Sequence, residues 1–178
     1  MASRRDFLRG FTKPLESLDA NKKDLALVLR PPYGLNESFF QSECVLCESK
    51  ACAASCDEKI IKISSDGTPT LSFVHRGCTF CDDCANACDA NVLSLEHSLN
   101  SEKVNARFNI STETCVAHHG VICFSCKEPC IDDAILFNGL FNPVIDADKC
   151  TSCGFCLSRC PATAIDFTIL PLNLEKEI

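Results

Sequence analysis

Apolar positions in this chain recur in short bursts tied to clusters of cysteine, with no long helical or alternating run. Four clusters stand in order: Cys44, Cys47, Cys52 and Cys56; Cys78, Cys81, Cys84 and Cys88; Cys115, Cys123, Cys126 and Cys130; Cys150, Cys153, Cys156 and Cys160. Five residues before each first cysteine stands Phe39, Phe73, Ile110 or Ile145. Five and seven residues after each last cysteine stand Ile61 and Ile63, Leu93 and Leu95, Ile135 and Phe137, and Ile165 and Phe167. Apolar residues two apart mark a strand with one buried face, so each unit predicts strand, cysteine loop, helical turn, strand. First cysteines separated by 34, 37 and 35 residues make this an internal repeat.

Turn residues fall where one unit must reverse into the next. Ser65-Asp66-Gly67-Thr68-Pro69 and Asn138-Gly139-Leu140-Phe141-Asn142-Pro143 predict hairpins. Residues 97–106 are polar and lack Gly and Pro, which sets a boundary between two halves near Asn100. The expected fold is α+β. Residues 1–38 form an irregular N-terminal segment that contacts a partner, and 39–100 and 101–178 form two tandem two-cluster modules of the bacterial ferredoxin kind, built from short hairpins and cysteine loops.

Composition sharpens this picture. Sixteen cysteines in 178 residues are far above ordinary usage. Without them the packable apolar remainder is roughly 37% of the chain, a thin core that an inorganic centre would complete. Net charge is −7, with a basic head and an acidic body: residues 41–178 hold ten Lys/Arg against nineteen Asp/Glu. That excludes nucleic-acid binding, which needs clustered cations, and suits a basic protein partner. The longest apolar run is Leu25 to Leu29, too short for a membrane span. Ser3-Arg4-Arg5-Asp6-Phe7-Leu8-Arg9 looks like a twin-arginine address, but Lys13, Glu16, Asp19, Lys22 and Lys23 occupy the place of an export core, which implies a cytoplasmic protein.

The second and fourth groups read C-x2-C-x2-C-x3-C, the run that holds [4Fe-4S] clusters in bacterial ferredoxins, and Cys160-Pro161 adds the proline that follows it. The first group is stretched between its second and third cysteines, the third group between its first and second. A disulfide framework needs an oxidising compartment, and zinc takes separated pairs or mixes in His. Four thiolates within one loop, four times over, favour four [4Fe-4S] clusters with all sixteen cysteines as ligands. The fourth cysteine of each run normally ligates the neighbouring cluster of a pair. Sequential pairing sets Cys44, Cys47, Cys52 with Cys88; Cys78, Cys81, Cys84 with Cys56; Cys115, Cys123, Cys126 with Cys160; and Cys150, Cys153, Cys156 with Cys130. Nested pairing, first group with fourth and second with third, is the alternative.

Phe80, Phe124 and Phe155 lie inside cysteine loops and are read as core filling that also excludes water. Asp57, Asp89 and Ile131 replace the motif proline, and the two carboxylates would disfavour reduction nearby. His118 and His119 are read as loop residues, not ligands, and their insertion is expected to loosen Cys115. No nucleophile–base pair or phosphate-binding loop stands out, which points to an electron carrier without a substrate pocket, not an enzyme.

The four groups, the C-x7-C-x2-C-x3-C third group, the Arg-Arg start and Arg30-Pro31-Pro32-Tyr33-Gly34 together resemble the NapF family, ferredoxin-type accessory proteins of periplasmic nitrate reductase systems. The resemblance implies a cytoplasmic protein that contacts the precursor of the catalytic molybdenum subunit before export and assists its maturation, with a membrane iron–sulfur protein as a further electron-donating partner. The alternatives are an electron-transfer subunit of a quinol- or molybdenum-linked oxidoreductase, and a chaperone-like factor with structural clusters.

Overall fold

The computed structural model describes residues 27–96 and 103–172. The Arg-Arg segment at 3–9 and the boundary near Asn100 lie outside the described residues. The chain is a mixture of short helices and strands, and one device recurs through it. Three residues after each last cysteine stands Lys59, Asn91, Asp133 or Thr163, with φ between 48° and 53°. Each of these N–H groups donates to the carbonyl of its last cysteine at 3.0 to 3.3 Å. The left-handed region costs a non-glycine residue roughly 1–2 kcal/mol, so its use four times marks a required turn out of the cysteine loop.

The turn seats two consecutive residues inward. Ile60, Val92, Ala134 and Ala164 are 1–3% exposed, and Ile61, Leu93, Ile135 and Ile165 after them are also buried. The apolar positions five residues on therefore pack as expected. Those seven residues on do not: Ile63, Leu95 and Phe167 are exposed and Phe137 is half-buried. Ile63, Phe137 and Phe167 lie within strands whose ribbons are only two strands wide, so this position is left at the surface or half-covered.

Both expected hairpins form. β1 (Ile61–Ile63) pairs antiparallel with β2 (Pro69–Leu71), and its turn is closed by Gly67 at φ 82° and by Thr68 N–H donating to Asp66 Oδ1 at 2.9 Å. β3 (Ala106–Ile110) opens the second half, where β4 (Ile135–Asn138) pairs with β5 (Phe141–Ile145) around Gly139. β3 closes this half by pairing over its full length with β6 (Ile165–Ile169). In the first half the matching contact shrinks to one bridge, Gly34 with Leu93.

The strand expected around Phe39 is a helix instead. Asn36 Oδ1 accepts from Phe39 N–H at 3.1 Å and starts α1 (Glu37–Phe39), which runs into a π-turn over Phe40–Cys44. The helical period turns Phe40 inward, fully buried, and leaves Phe39 40% exposed. Three further single-turn helices, α2 (Ala51–Ala54), α3 (Asp83–Asn86) and α4 (Phe155–Arg159), lie inside cysteine groups.

An arm, residues 29–34, substitutes for the missing ladder. Arg30 has no exposed surface. Its guanidinium is paired with the Glu37 carboxylate, donates to Thr68 Oγ1 and Pro69 O at 2.7 Å, and lies 4.7 Å over the Phe40 ring. Its backbone N–H donates to Asn105 Oδ1, and Asn105 Nδ2 donates in turn to Val28 O and Leu170 O. The arm thus ties the first half to the second. Beside it the rings of Phe73, Phe108 and Phe167 meet with centroids 5.6 to 6.4 Å apart, one from the first half and two from the second. The apolar core is continuous across this seam.

Candidate metal centres

The sixteen thiols are unpaired and gather around four small cavities. The first is lined by Cys44, Cys47, Cys52 and Cys88. Cys56, Cys78, Cys81 and Cys84 line the second. Around the third stand Cys115, Cys123, Cys126 and Cys160, and around the fourth Cys130, Cys150, Cys153 and Cys156. Each cavity takes three thiols from one group and the last thiol of the neighbouring group. These are the sets of the sequential scheme; none of the four combines the first group with the fourth or the second with the third.

The thiols stand around a space and not around a point, and among the described residues no three His, Cys, Asp or Glu side chains are arranged to hold one metal ion. The walls are apolar, and backbone amides aim at sulfur. Leu93 N–H donates to Cys88 Sγ at 3.5 Å, Ala134 N–H to Cys130 Sγ at 3.3 Å and Ala164 N–H to Cys160 Sγ at 3.2 Å. All three come from the turn that follows the last cysteine. Such a pocket fits a thiolate-held iron–sulfur cluster, whose potential responds to amide–sulfur bonds and to exclusion of water.

Burial and crowding by other thiols push Cys44, Cys78 and Cys126 up to about 11, and Cys84 and Cys156 up to about 12. Cys47 goes the other way, lowered by its hydrogen bond to Ser49. Cys81 is the exposed member of the sixteen. The insertion before Cys123 is ordered beside Cys115. It folds as a 3-10 turn over Val116–His119 closed by Gly120 at φ 80°, and Cys115 is buried. His119 is exposed with its ring on Glu113 O, while His118 is half-buried with its ring on Pro143 O; neither lines the third cavity.

The cavities follow one another as first, second, fourth, third. Cys52 of the first acts electrostatically on Cys84 of the second, Cys153 of the fourth on Cys78 of the second, and Cys126 of the third on Cys156 of the fourth. At the middle junction Cys78 N–H donates to Cys153 O at 2.6 Å. Two glycines permit that approach. A Cβ on Gly77 would lie 2.5 Å from Phe155 N, and one on Gly154, at φ 88°, would lie 2.4 Å from the Phe73 ring. Phe155 and Phe73 therefore build the seam, Phe124 packs on Phe137 at 4.7 Å, and Phe80 lines the second cavity. At the two ends exposed apolar residues sit in the cysteine loops themselves, Leu46 at the first cavity and Val121 and Ile122 at the third.

A cleft of about 460 Å³ that the sequence did not foretell opens between the arm and β3, edged by Lys103 and Arg107. Ser152 in its wall is committed to Ala106 O at 2.6 Å. Among the described residues no helix is long and apolar enough to cross a membrane.

Thiols so gathered, on a fold of short ribbons and tight turns, define a ferredoxin-type iron–sulfur protein. Residues 143–166, which include the fourth cysteine group, match the 4Fe-4S binding domain. The ferredoxin-type protein NapF of Escherichia coli K12 is 32% identical over 141 residues, 77% of this chain and 82% of that protein. NapG of the same organism is 30% identical over 83% of this chain and 72% of its own length. The methylamine utilization ferredoxin-type protein MauM of Methylophilus methylotrophus is 32% identical over 88% of this chain and 76% of its own. The chain belongs to the NapF family of ferredoxin-type proteins.

Proposed function

We propose that this protein carries four [4Fe-4S] clusters in two tandem two-cluster modules, and acts in the cytoplasm on the molybdenum catalytic subunit of periplasmic nitrate reductase before its export, in electron transfer and maturation. The observation that carries the reading is the row of four cavities, each with three thiols from one group and a fourth lent by its neighbour. A bound [4Fe-4S] cluster supplies one-electron redox chemistry. The chain's own residues do the rest. All sixteen cysteines serve as ligands, the amides of Leu93, Ala134 and Ala164 stabilise negative charge on sulfur, and Phe80 keeps water from the second cavity. The close contact at Cys78 and Cys153 keeps the two inner cavities adjacent.

The acidic body supports a basic partner surface, with Leu46 and Ile122 as apolar contacts at the ends of the row. Four oxidised clusters would add roughly eight negative charges, so binding to the reductase precursor should weaken sharply with salt. Deleting the gene and assaying nitrate reductase twice tests the function. With a reduced dye that feeds the catalytic subunit directly, activity should fall, because the subunit was never matured. Loss confined to the physiological electron source would make the protein a link in the electron chain instead, and unchanged activity with both would refute the proposal.

A further inference from the structure

Tyr33 is the chain's single tyrosine and belongs to no cysteine group. It is 4% exposed and lines the second cavity beside Phe80. Its φ of 70° puts a bulky side chain in the left-handed region, a conformation that persists only where the surroundings enforce it. Tyr33 O accepts from Ser94 N–H at 3.0 Å, Gly34 after it is bridged to Leu93, and Arg30 three residues earlier is pinned by Glu37, Thr68 and Pro69. Asp82, a residue inside the Cys81–Cys84 loop, lines the same cavity, and after burial its carboxylate is the next influence that holds the Tyr33 phenol in its protonated, hydrogen-bond-donating form. The second half has half of this arrangement. Phe108 lines the fourth cavity and Gly154 stands in the place of Asp82, while the acid there is Asp132, which accepts from Thr151 Oγ1, so an aromatic cover recurs without a phenol.

We infer that Tyr33 is a positioning residue that sets the reduction potential of the group in the second cavity: its ring keeps water from the thiolates of Cys78 and Cys84, and its hydroxyl offsets the Asp82 carboxylate. The inference rests on the reading that this cavity holds a [4Fe-4S] cluster. Reduction adds negative charge there, which water would stabilise and a bare carboxylate would oppose. The two functions of Tyr33 therefore have opposite signs when removed. Tyr33→Ala admits water and should raise the potential, whereas Tyr33→Phe keeps the cover, bares Asp82 and should lower it by less.

The test is a potentiometric titration of the full-length protein, purified without air and followed by electron paramagnetic resonance. The step lost in Cys81→Ala identifies the second cavity. In Tyr33→Ala that step should move to higher potential while the others superimpose on the parent, and in Tyr33→Phe it should move to lower potential. An unmoved step in Tyr33→Ala, or an equal shift of every step, overturns the inference. If Tyr33→Ala does not assemble, Tyr33→Phe decides alone: a downward move supports the inference and no move overturns it. A parent protein with no iron–sulfur signal would instead contradict the proposed function.

Discussion

The two halves solve the same problem with different means. Both gather thiols around a pair of cavities, and both leave each cysteine loop through the same left-handed turn. The second half then closes on itself with a five-residue ladder between β3 and β6. The first half has one bridge in that place and is held by a buried arginine, whose donors reach Glu37, Thr68 and Pro69. A ladder spreads its stabilisation over many backbone bonds, while a buried ion pair concentrates it in one. The first half should therefore be the one that a single substitution can open.

Glu37→Gln is the strongest way to test this contrast. It leaves the Arg30 charge buried and unpaired, and should cost about 3–5 kcal/mol. Asp166→Asn on the exposed edge of β6 should cost less than about 0.5 kcal/mol. Thermal loss of visible absorption, with the residual iron assigned by variants of each half, would show the first half failing first. Simultaneous loss in both halves would show that the seam makes them one unit.

Gly77→Ala addresses the seam. Its Cβ would press on Phe155 N and Cys153 O, a clash with backbone that should cost about 1–3 kcal/mol. Hydrogen exchange at the Cys78 amide should accelerate, because that N–H donates to Cys153 O.

The shared turn predicts a small and equal effect. Lys59→Gly in the first half and Thr163→Gly in the second relieve the left-handed strain, partly offset by the greater freedom of glycine in the unfolded chain. Each should stabilise by less than about 1 kcal/mol in thermal denaturation. A gain in one half alone would mean that the turn has different functions in the two.

Acidity should not separate the halves. Cys84 and Cys156 occupy matching positions and are both pushed up to about 12, so near neutrality both are protonated in the empty protein. Ligation requires thiolates, so filling the cavities releases protons and is favoured as pH rises. Anaerobic reconstitution near pH 6 should yield fewer clusters than near pH 8, in both halves.

Much of this was legible in the sequence because cysteine spacing and turn residues are local signals. The repeat, both hairpins and the three-thiol loops follow from residues within a few positions of one another. Three features did not follow. The recurrent turn is built on Lys59, Asn91, Asp133 and Thr163, which share only polarity and exposure, too common a signal to mark a left-handed turn, so the backbone reveals it. Arg30 reads as part of a basic head, and its burial depends on partners as distant as Thr68 and Asn105. The choice between sequential and nested lending is set by which loops meet in space. The thiols adjoin sequentially even though Cys78 and Cys153 touch across the seam.

The central claim is that each cavity holds one [4Fe-4S] cluster with a fourth ligand from the neighbouring group. Iron and sulfide analysis combined with electron paramagnetic resonance of Cys56→Ala, Cys81→Ala and Cys47→Ala tests it most directly. The parent should hold about sixteen iron and sixteen sulfide atoms per chain. Cys56→Ala and Cys81→Ala should lose the same signal, and Cys47→Ala a different one. Loss of one shared signal in Cys56→Ala and Cys47→Ala, or stoichiometric zinc in place of iron, would contradict the account.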